Sequence, residues 1–189
     1  MKTIVMTVSI TLLLAVVAGL ILVYSGAFNV AVSWKDPALM RWVLVSTREN
    51  SIERRAASIE VMPIQGAEQI ENGFRSYREM CVDCHALPGM DESALAKGLN
   101  PAPPILDEEA EHMSAAELFW VVKNGIRMTG MPGWGITHDD AELWDIVAFL
   151  KKMPEMDEAD FTKLDSQLTK GHESTNDEGN VGHDAAPGH

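Results

Sequence analysis

The only two cysteines in the 189-residue chain are Cys81 and Cys84, and His85 follows the second directly, in the stretch REMCVDCHALPG, Arg78 to Gly89. A pair spaced this way limits the fold strongly, because each chemistry it can support demands a different surrounding. A thioredoxin-like redox pair needs a βαβ setting, and no strand pattern of any length occurs here. A structural zinc site needs four nitrogen or sulfur ligands. There is no second Cys-x-x-Cys and no paired histidine, and His112 and His138 stand alone. A disulfide across two intervening residues closes a very small loop, stabilises little, and leaves His85 without a purpose.

Cys-x-x-Cys-His is also the attachment signature for c-type haem. The reason is geometric. Two thiols add to the two vinyl groups on one edge of the porphyrin, and the histidine next along the chain is then held under the iron. The motif uses every cysteine in the chain, and it follows a segment suited to export. Residues Ile4 to Tyr24 are 21 consecutive residues without a charge, about what one helix needs to cross ~30 Å of hydrocarbon at 1.5 Å per residue. A cleaved signal peptide is the competing reading, since Ser25-Gly26-Ala27 looks like a small-x-small cleavage site. Signal cores usually run about 7–15 apolar residues, however, so a retained anchor is expected. Either reading exports the rest of the chain. Lys2 ahead of the run favours an N-terminus kept inside, although Lys35 and Arg41 follow on the other side.

Charge divides the chain further. Residues 1–65 carry a net +2, residues 66–156 a net −9 and residues 157–189 a net −6. An acidic exported domain does not suit nucleic acid, which is held by Lys and Arg against phosphate. It permits steering toward a basic partner, or serves solubility alone. Four segments are expected: an anchor at 1–27, a juxtamembrane amphipathic helix and linker at 28–65, a compact domain at 66–156, and an acidic tail at 157–189. Trp34, Lys35, Arg41 and Trp42 are residue types that favour a headgroup boundary. Trp42, Val45, Ile52, Ala56 and Ile59 recur at near-helical spacing, with Asn50, Glu53, Arg54 and Arg55 on the polar face. This helix reads as a spacer, broken by Met62-Pro63.

Inside the compact domain, AEQIENGFRSYREM predicts a helix with Ile70, Phe74 and Tyr77 on one face. ALPGMDESALAKGLNPAPPILDEE predicts a Gly/Pro-rich loop with one short turn. MSAAELFWVVKNGI predicts a second helix, with Ser114 and Glu117 forming a capping box. MTGMPGWGIT predicts a loop with no helix. HDDAELWDIVAFLKKM predicts the last helix, capped by Asp139 or Asp140, stopped by Pro154, and apolar along Leu143, Ile146, Val147 and Leu150. The tail is polar, acidic and poor in aromatics, so disorder is expected there; its histidines, His172, His183 and His189, read as solvated. About 90 residues bury limited surface by themselves, and a covalently held apolar macrocycle would supply the missing core.

With these pieces in place, residues 66–153 resemble a class I cytochrome c, which implies an all-α small helical domain around one haem. Gly73 and Tyr77, eight and four residues before Cys81, stand where that family places a small residue and an aromatic. Ile146, Phe149 and Leu150 are offered by the last helix to cross them. Pro104-Ile105-Leu106 resembles the family's Pro-x-Leu element, whose proline carbonyl accepts a hydrogen bond from the proximal histidine and so fixes its ring. The upstream stretches YSGAFNVA and SIERRAASIEV, with VVKNGIRMTGMPGWG, resemble a group of membrane-anchored bacterial monohaem cytochromes.

For the second axial ligand, Met128 and Met131 compete in IRMTGMPGW. Met131 precedes Pro132, which pushes it toward extended backbone, and Gly130 and Gly133 leave the neighbouring chain free. Met131-Pro132 also matches the family pattern. Met128 reads as packing, and Met90, Met113 and Met153 as core or surface. Arg127 and Trp134 carry N–H groups suited to a haem carboxylate, though a solvated arginine and a packed tryptophan are the plainer readings. The expected cofactor is therefore one covalent haem c held by Cys81, Cys84, His85, Met131 and the carbonyl of Pro104, with iron bound by His85 and Met131. Such ligation fills both axial positions and favours electron transfer over catalysis. The expected role is a membrane-tethered carrier between redox proteins, on the bacterial inner membrane with its haem domain facing the periplasm. Two alternatives stand beside it: a fixed subunit of a dehydrogenase or terminal oxidase complex, and a haem sensor or enzyme with an open sixth position.

Overall fold

A computed structural model describes residues 1–177. Helices form all of its regular structure, and no strand occurs among the described residues. This agrees with the all-α expectation. The chain divides into two compact units, residues 1–38 and the remainder.

The first unit is dominated by α1 (Lys2–Tyr24), which is long and apolar enough to cross a membrane and buries no residue within the protein. Two of its hydroxyls bond back to the helix itself. The hydroxyls of Thr7 and Thr11 donate to the carbonyls of Thr3 and Thr7, each at 3.0 Å, the usual way a helix in lipid satisfies a hydroxyl.

The second unit opens with α2 (Ala38–Ala56) and continues through α3 (Ala67–Met80), the single turn α4 (Val82–His85), α5 (Ala94–Lys97), α6 (Leu106–His112), α7 (Ala115–Asn124), α8 (Asp140–Lys152) and α9 (Glu158–Asp177). Helices α3 and α8 cross at the centre, and Gly73 decides how closely. A Cβ built at Gly73 would lie 1.9 Å from the Asp145 carbonyl oxygen and 2.9 Å from Cβ of Phe149, so only hydrogen fits there. Around this contact, Phe74 and Tyr77 on α3 pack on Phe149 of α8, with ring centroids 5.3 and 5.2 Å apart. All three are fully buried. Aromatic edges on faces at these distances add stabilisation beyond their buried area.

The caps are legible in the backbone. The Ser114 hydroxyl accepts from the Glu117 amide at 3.3 Å, and the Glu117 carboxylate accepts from the Ser114 amide at 2.8 Å. Asp139 and Glu142 repeat the arrangement at the start of α8. Each cap satisfies amides that a helix start leaves unpaired. Helix α7 is tied to α8 by Phe119 stacked on Trp144, centroids 4.3 Å apart. Helix α6 is tied to α8 by the Lys151 ammonium, which donates to the carbonyls of Ala110 and Met113 at 2.6 and 3.2 Å.

Five expectations need correction. The segment from Ala86 to Glu109 holds two helices, α5 and the start of α6, because Ser93 caps α5 by accepting from the Ala96 amide and Leu106 begins a run of good helix formers after the prolines. The loop after α7 contains a 3-10 turn, Trp134–Ile136. Helix α2 stops at Ala56 rather than near Val61, and Ile59 turns back to pack on the core. Helix α8 is not the last: Pro154 ends it in a 3-10 turn, Met153–Glu155, and α9 follows. In place of disorder across 158–177, Phe161 and Leu164 are buried in the central core, and Leu168 packs against it. Average composition hid this stripe, because Phe161, Leu164 and Leu168 are three apolar residues spaced for one helix face inside an acidic run. His172 falls within α9, and His183 and His189 lie outside the described residues.

Candidate cofactor-binding cleft

The C-terminal end of α3 passes straight into α4, and the Cys84 and His85 amides both donate to the Cys81 carbonyl, at 3.0 and 2.9 Å. The Cys-x-x-Cys-His sequence is thus wound into one helical turn, with residues i and i+3 side by side. Its exit is fixed by Ala86, which adopts φ +53°, and by the Tyr77 hydroxyl, which donates to the Ala86 carbonyl. Burial, with a smaller contribution from Cys81 and Asp107, pushes the Tyr77 hydroxyl well above its ordinary pKa and keeps it a donor.

Cys81, Cys84 and His85 line one cavity together with Met131, Pro104 and Trp134. Its volume is about 340 Å³, within the range of organic-ligand sites. Its walls are mostly apolar, with Leu99, Leu118, Val122, Ile146 and Leu150 contributing. Both cysteines are free thiols in this structure. The Cys81 thiol is pushed up to about 12, by burial first and by Cys84 second. Reactive cysteines sit the other way, with lowered values that expose a thiolate. Cys81 is therefore poorly suited to act as a thiolate nucleophile. Zinc is no better served, because no group of three or more metal-binding side chains occurs among the described residues.

His85 Nδ1 lies 2.9 Å from the Pro104 carbonyl oxygen. A carbonyl only accepts, so Nδ1 carries the proton and Nε2 keeps its lone pair for a metal. Burial lowers the His85 pKa, opposed by this hydrogen bond; a neutral ring is the form that ligates. The donor set fits a covalent haem: two thiols on one turn, an oriented imidazole beside them, and an apolar cavity.

Of the competing methionines, Met128 is 89% exposed and adopts φ +64°. It is absent from the cavity wall, while Met131 is half-buried on it. Met80 and Met113 also line the cavity, but both pack on the hydrophobic core, and Met80 adjoins Cys81 on the attachment side. The Met131 loop is held at several points. The Met131 amide donates to the Thr129 hydroxyl at 3.1 Å, that hydroxyl donates to the Ile126 carbonyl at 2.7 Å, and the Ile126 amide returns to the Met131 carbonyl at 3.2 Å. The glycines act differently from expectation. Gly130 and Gly133 do not use positive φ; they allow close approach, with built Cβ atoms 2.8 Å from Leu99 and 2.7 Å from the Asn124 carbonyl oxygen. Positive φ falls on Gly125, at +66°, whose Cβ would strike the backbone of Met131 to Gly133. Thr129 and Gly125 were not singled out from sequence. A hydroxyl two residues before the methionine and a glycine just after a helix were the available signals.

Arg127 is exposed and away from the wall, whereas Trp134 is part of it. Less expected is the contribution of α2. Arg48, Glu49, Ile52 and Glu53 line the same cavity, so the presumed spacer is a wall. Nothing local in its pattern distinguished the two roles.

Residues 68–150 match the family described as cytochrome C oxidase, cbb3-type, subunit III. No curated protein matches the chain.

Proposed function

We propose that residues 68–150, which match the family described as cytochrome C oxidase, cbb3-type, subunit III, form a c-type cytochrome domain, and that the chain is a membrane-tethered, single-haem carrier of electrons between redox proteins. Bound haem supplies a one-electron iron couple. Cys81 and Cys84 would hold it covalently through their thiols. His85 would ligate the iron through Nε2, its ring steadied by the Pro104 carbonyl. Met131 would supply a second ligand, a sulfur that raises the potential relative to a second nitrogen. So ligated, the domain would pass electrons between partners. Helix α1 anchors the chain in the bacterial inner membrane, with the haem domain on the periplasmic side. The observation that carries this reading is the cavity that gathers Cys81, Cys84, His85 and Met131, with His85 Nδ1 held at 2.9 Å by Pro104.

Met131→Ala tests it. The oxidised variant should lose the far-red methionine–iron charge-transfer band, its potential should fall, and the reduced form should bind CO. A variant that keeps the band removes Met131 from the ligand set. CO binding by the parent protein at neutral pH would favour the sensor reading instead.

The family description supports a second reading, a fixed subunit of an oxidase complex. Mild detergent extraction separates the two: a stable assembly that survives purification means a subunit, and release of the lone chain means a shuttle.

A further inference from the structure

We propose that the helix upstream of the family-matched segment belongs to the haem site, with Ile52 completing its apolar wall and Arg48 pairing with a haem carboxylate. This rests on the haem reading above. Helix α2 spans Ala38–Ala56, wholly outside residues 68–150. Most of its side chains are exposed, yet Ile52 and Ala56 are only 7% and 4% exposed. Positions 48, 49, 52 and 53 share one helical face, and all four line the cavity that holds Cys81, Cys84, His85 and Met131.

The C-terminal end of the helix meets the domain. Ala56 is buried, the Arg55 guanidinium stands 6.0 Å from the centre of the Trp120 ring on α7, and Ile59 packs on the core just beyond the helix end. A guanidinium over indole at this range is mildly attractive.

Charge then singles out Arg48. The other charged side chains on the wall are Glu49, Glu53, Glu109 and Glu117. Haem brings two carboxylates of its own into a cleft that already carries four. Among the described residues lining the cleft, Arg48 supplies the one guanidinium or ammonium. A guanidinium fork matches a carboxylate in shape and charge. Its present partner is the adjacent Glu49 at 3.4 Å, with both side chains substantially exposed, a weak pairing that leaves donors for a better one. Arg127, the arginine nearer the Met131 loop in sequence, is off the wall.

The test uses the full chain, purified with haem in detergent. The potential is titrated across pH and the Soret circular dichroism recorded. A nearby cation favours both the added electron and an ionised carboxylate. Arg48→Ala should therefore shift the equilibrium with a redox reference toward the oxidised form by roughly fivefold, the scale of one partly screened charge. It should also move the carboxylate-linked inflection in potential to higher pH. Arg48→Lys should recover most of the shift. Arg41→Ala, on the same helix but exposed and off the wall, should leave the potential and its pH profile unchanged. Ile52→Asp should alter the Soret dichroism while the axial-ligand bands persist. An Arg48→Ala protein with parental potential and pH profile overturns the proposal, as does an equal shift in Arg41→Ala. A parent chain whose haem is extracted by acid–acetone instead overturns the covalent-haem reading beneath it, so the two failures are told apart.

Discussion

Gly73 is the residue on which the domain's geometry turns. Its missing side chain lets the Asp145 carbonyl of α8 sit where a Cβ would be 1.9 Å away. The obstacle is backbone, so it cannot rotate aside as a side-chain tip could. Gly73→Ala gains roughly 1 kcal/mol of helix propensity but must spread the crossing that Phe74, Tyr77 and Phe149 complete. The net loss should be about 2 kcal/mol or more, within the usual range for overpacking. Denaturant unfolding of the haem-loaded protein, followed by far-ultraviolet dichroism, measures it, and a midpoint equal to the parent's would refute the close-contact account. The cavity residues divide by how far apart they lie in the chain. Cys81, Cys84 and His85 are legible from spacing alone, because attachment chemistry fixes it within one turn. Pro104 is 19 residues from His85, and only resemblance to a family pointed there. Ile52 was legible as an apolar helix position but not as a cleft residue, and Arg48 left no local mark at all.

At the scale of elements, the two segments read as accessories turn out to be structural. Helix α9 places Phe161 and Leu164 in the same cluster as the α3–α8 crossing, and its Gln167 amide donates to Glu71 of α3 at 2.9 Å. Burying a phenylalanine and a leucine is worth about 1.5–3 kcal/mol each, reduced by the entropy of ordering the helix. A chain ended after Asp157 should lose roughly 2 kcal/mol of stability and several degrees of Tm while keeping its axial-ligand bands. A truncated chain as stable as the parent would return α9 to the status of a tail. Helix α2 teaches the complementary lesson. Its amphipathic pattern is real, but the same pattern serves a helix lying on a membrane, a free spacer or a cavity wall. What distinguishes them is the cleft that Ile52 shares with residues of α6, α7 and the Met131 loop.

For the whole molecule, the relevant quantity is charge. The domain at 66–156 carries 7 Lys and Arg against 16 Asp and Glu. Such a field speeds encounter with a basic partner and hinders an acidic one. Electron transfer to a basic soluble acceptor should therefore slow severalfold as ionic strength rises from about 0.01 to 0.15 M, where the screening length shrinks from about 30 to 8 Å. Stopped-flow mixing of the reduced protein with such an acceptor gives the rate directly. A rate indifferent to salt would mean that the acidity serves solubility alone. Tethering by α1 would add to this by holding the carrier at high effective concentration near membrane partners.

By itself, the sequence determined the helical class, the apolar N-terminal helix, the capped starts of α7 and α8 and the attachment turn. Each of these depends on residues within a few positions of one another, or on a spacing that covalent chemistry imposes. The tertiary structure decided which of Met128 and Met131 lines the cleft, what holds that loop, that α2 lines the cleft too and that residues 158–177 form a helix. Those outcomes depend on surfaces assembled from segments tens of residues apart. An apolar residue such as Ile52 or Phe161 becomes core only when the opposing surface exists to exclude water from it.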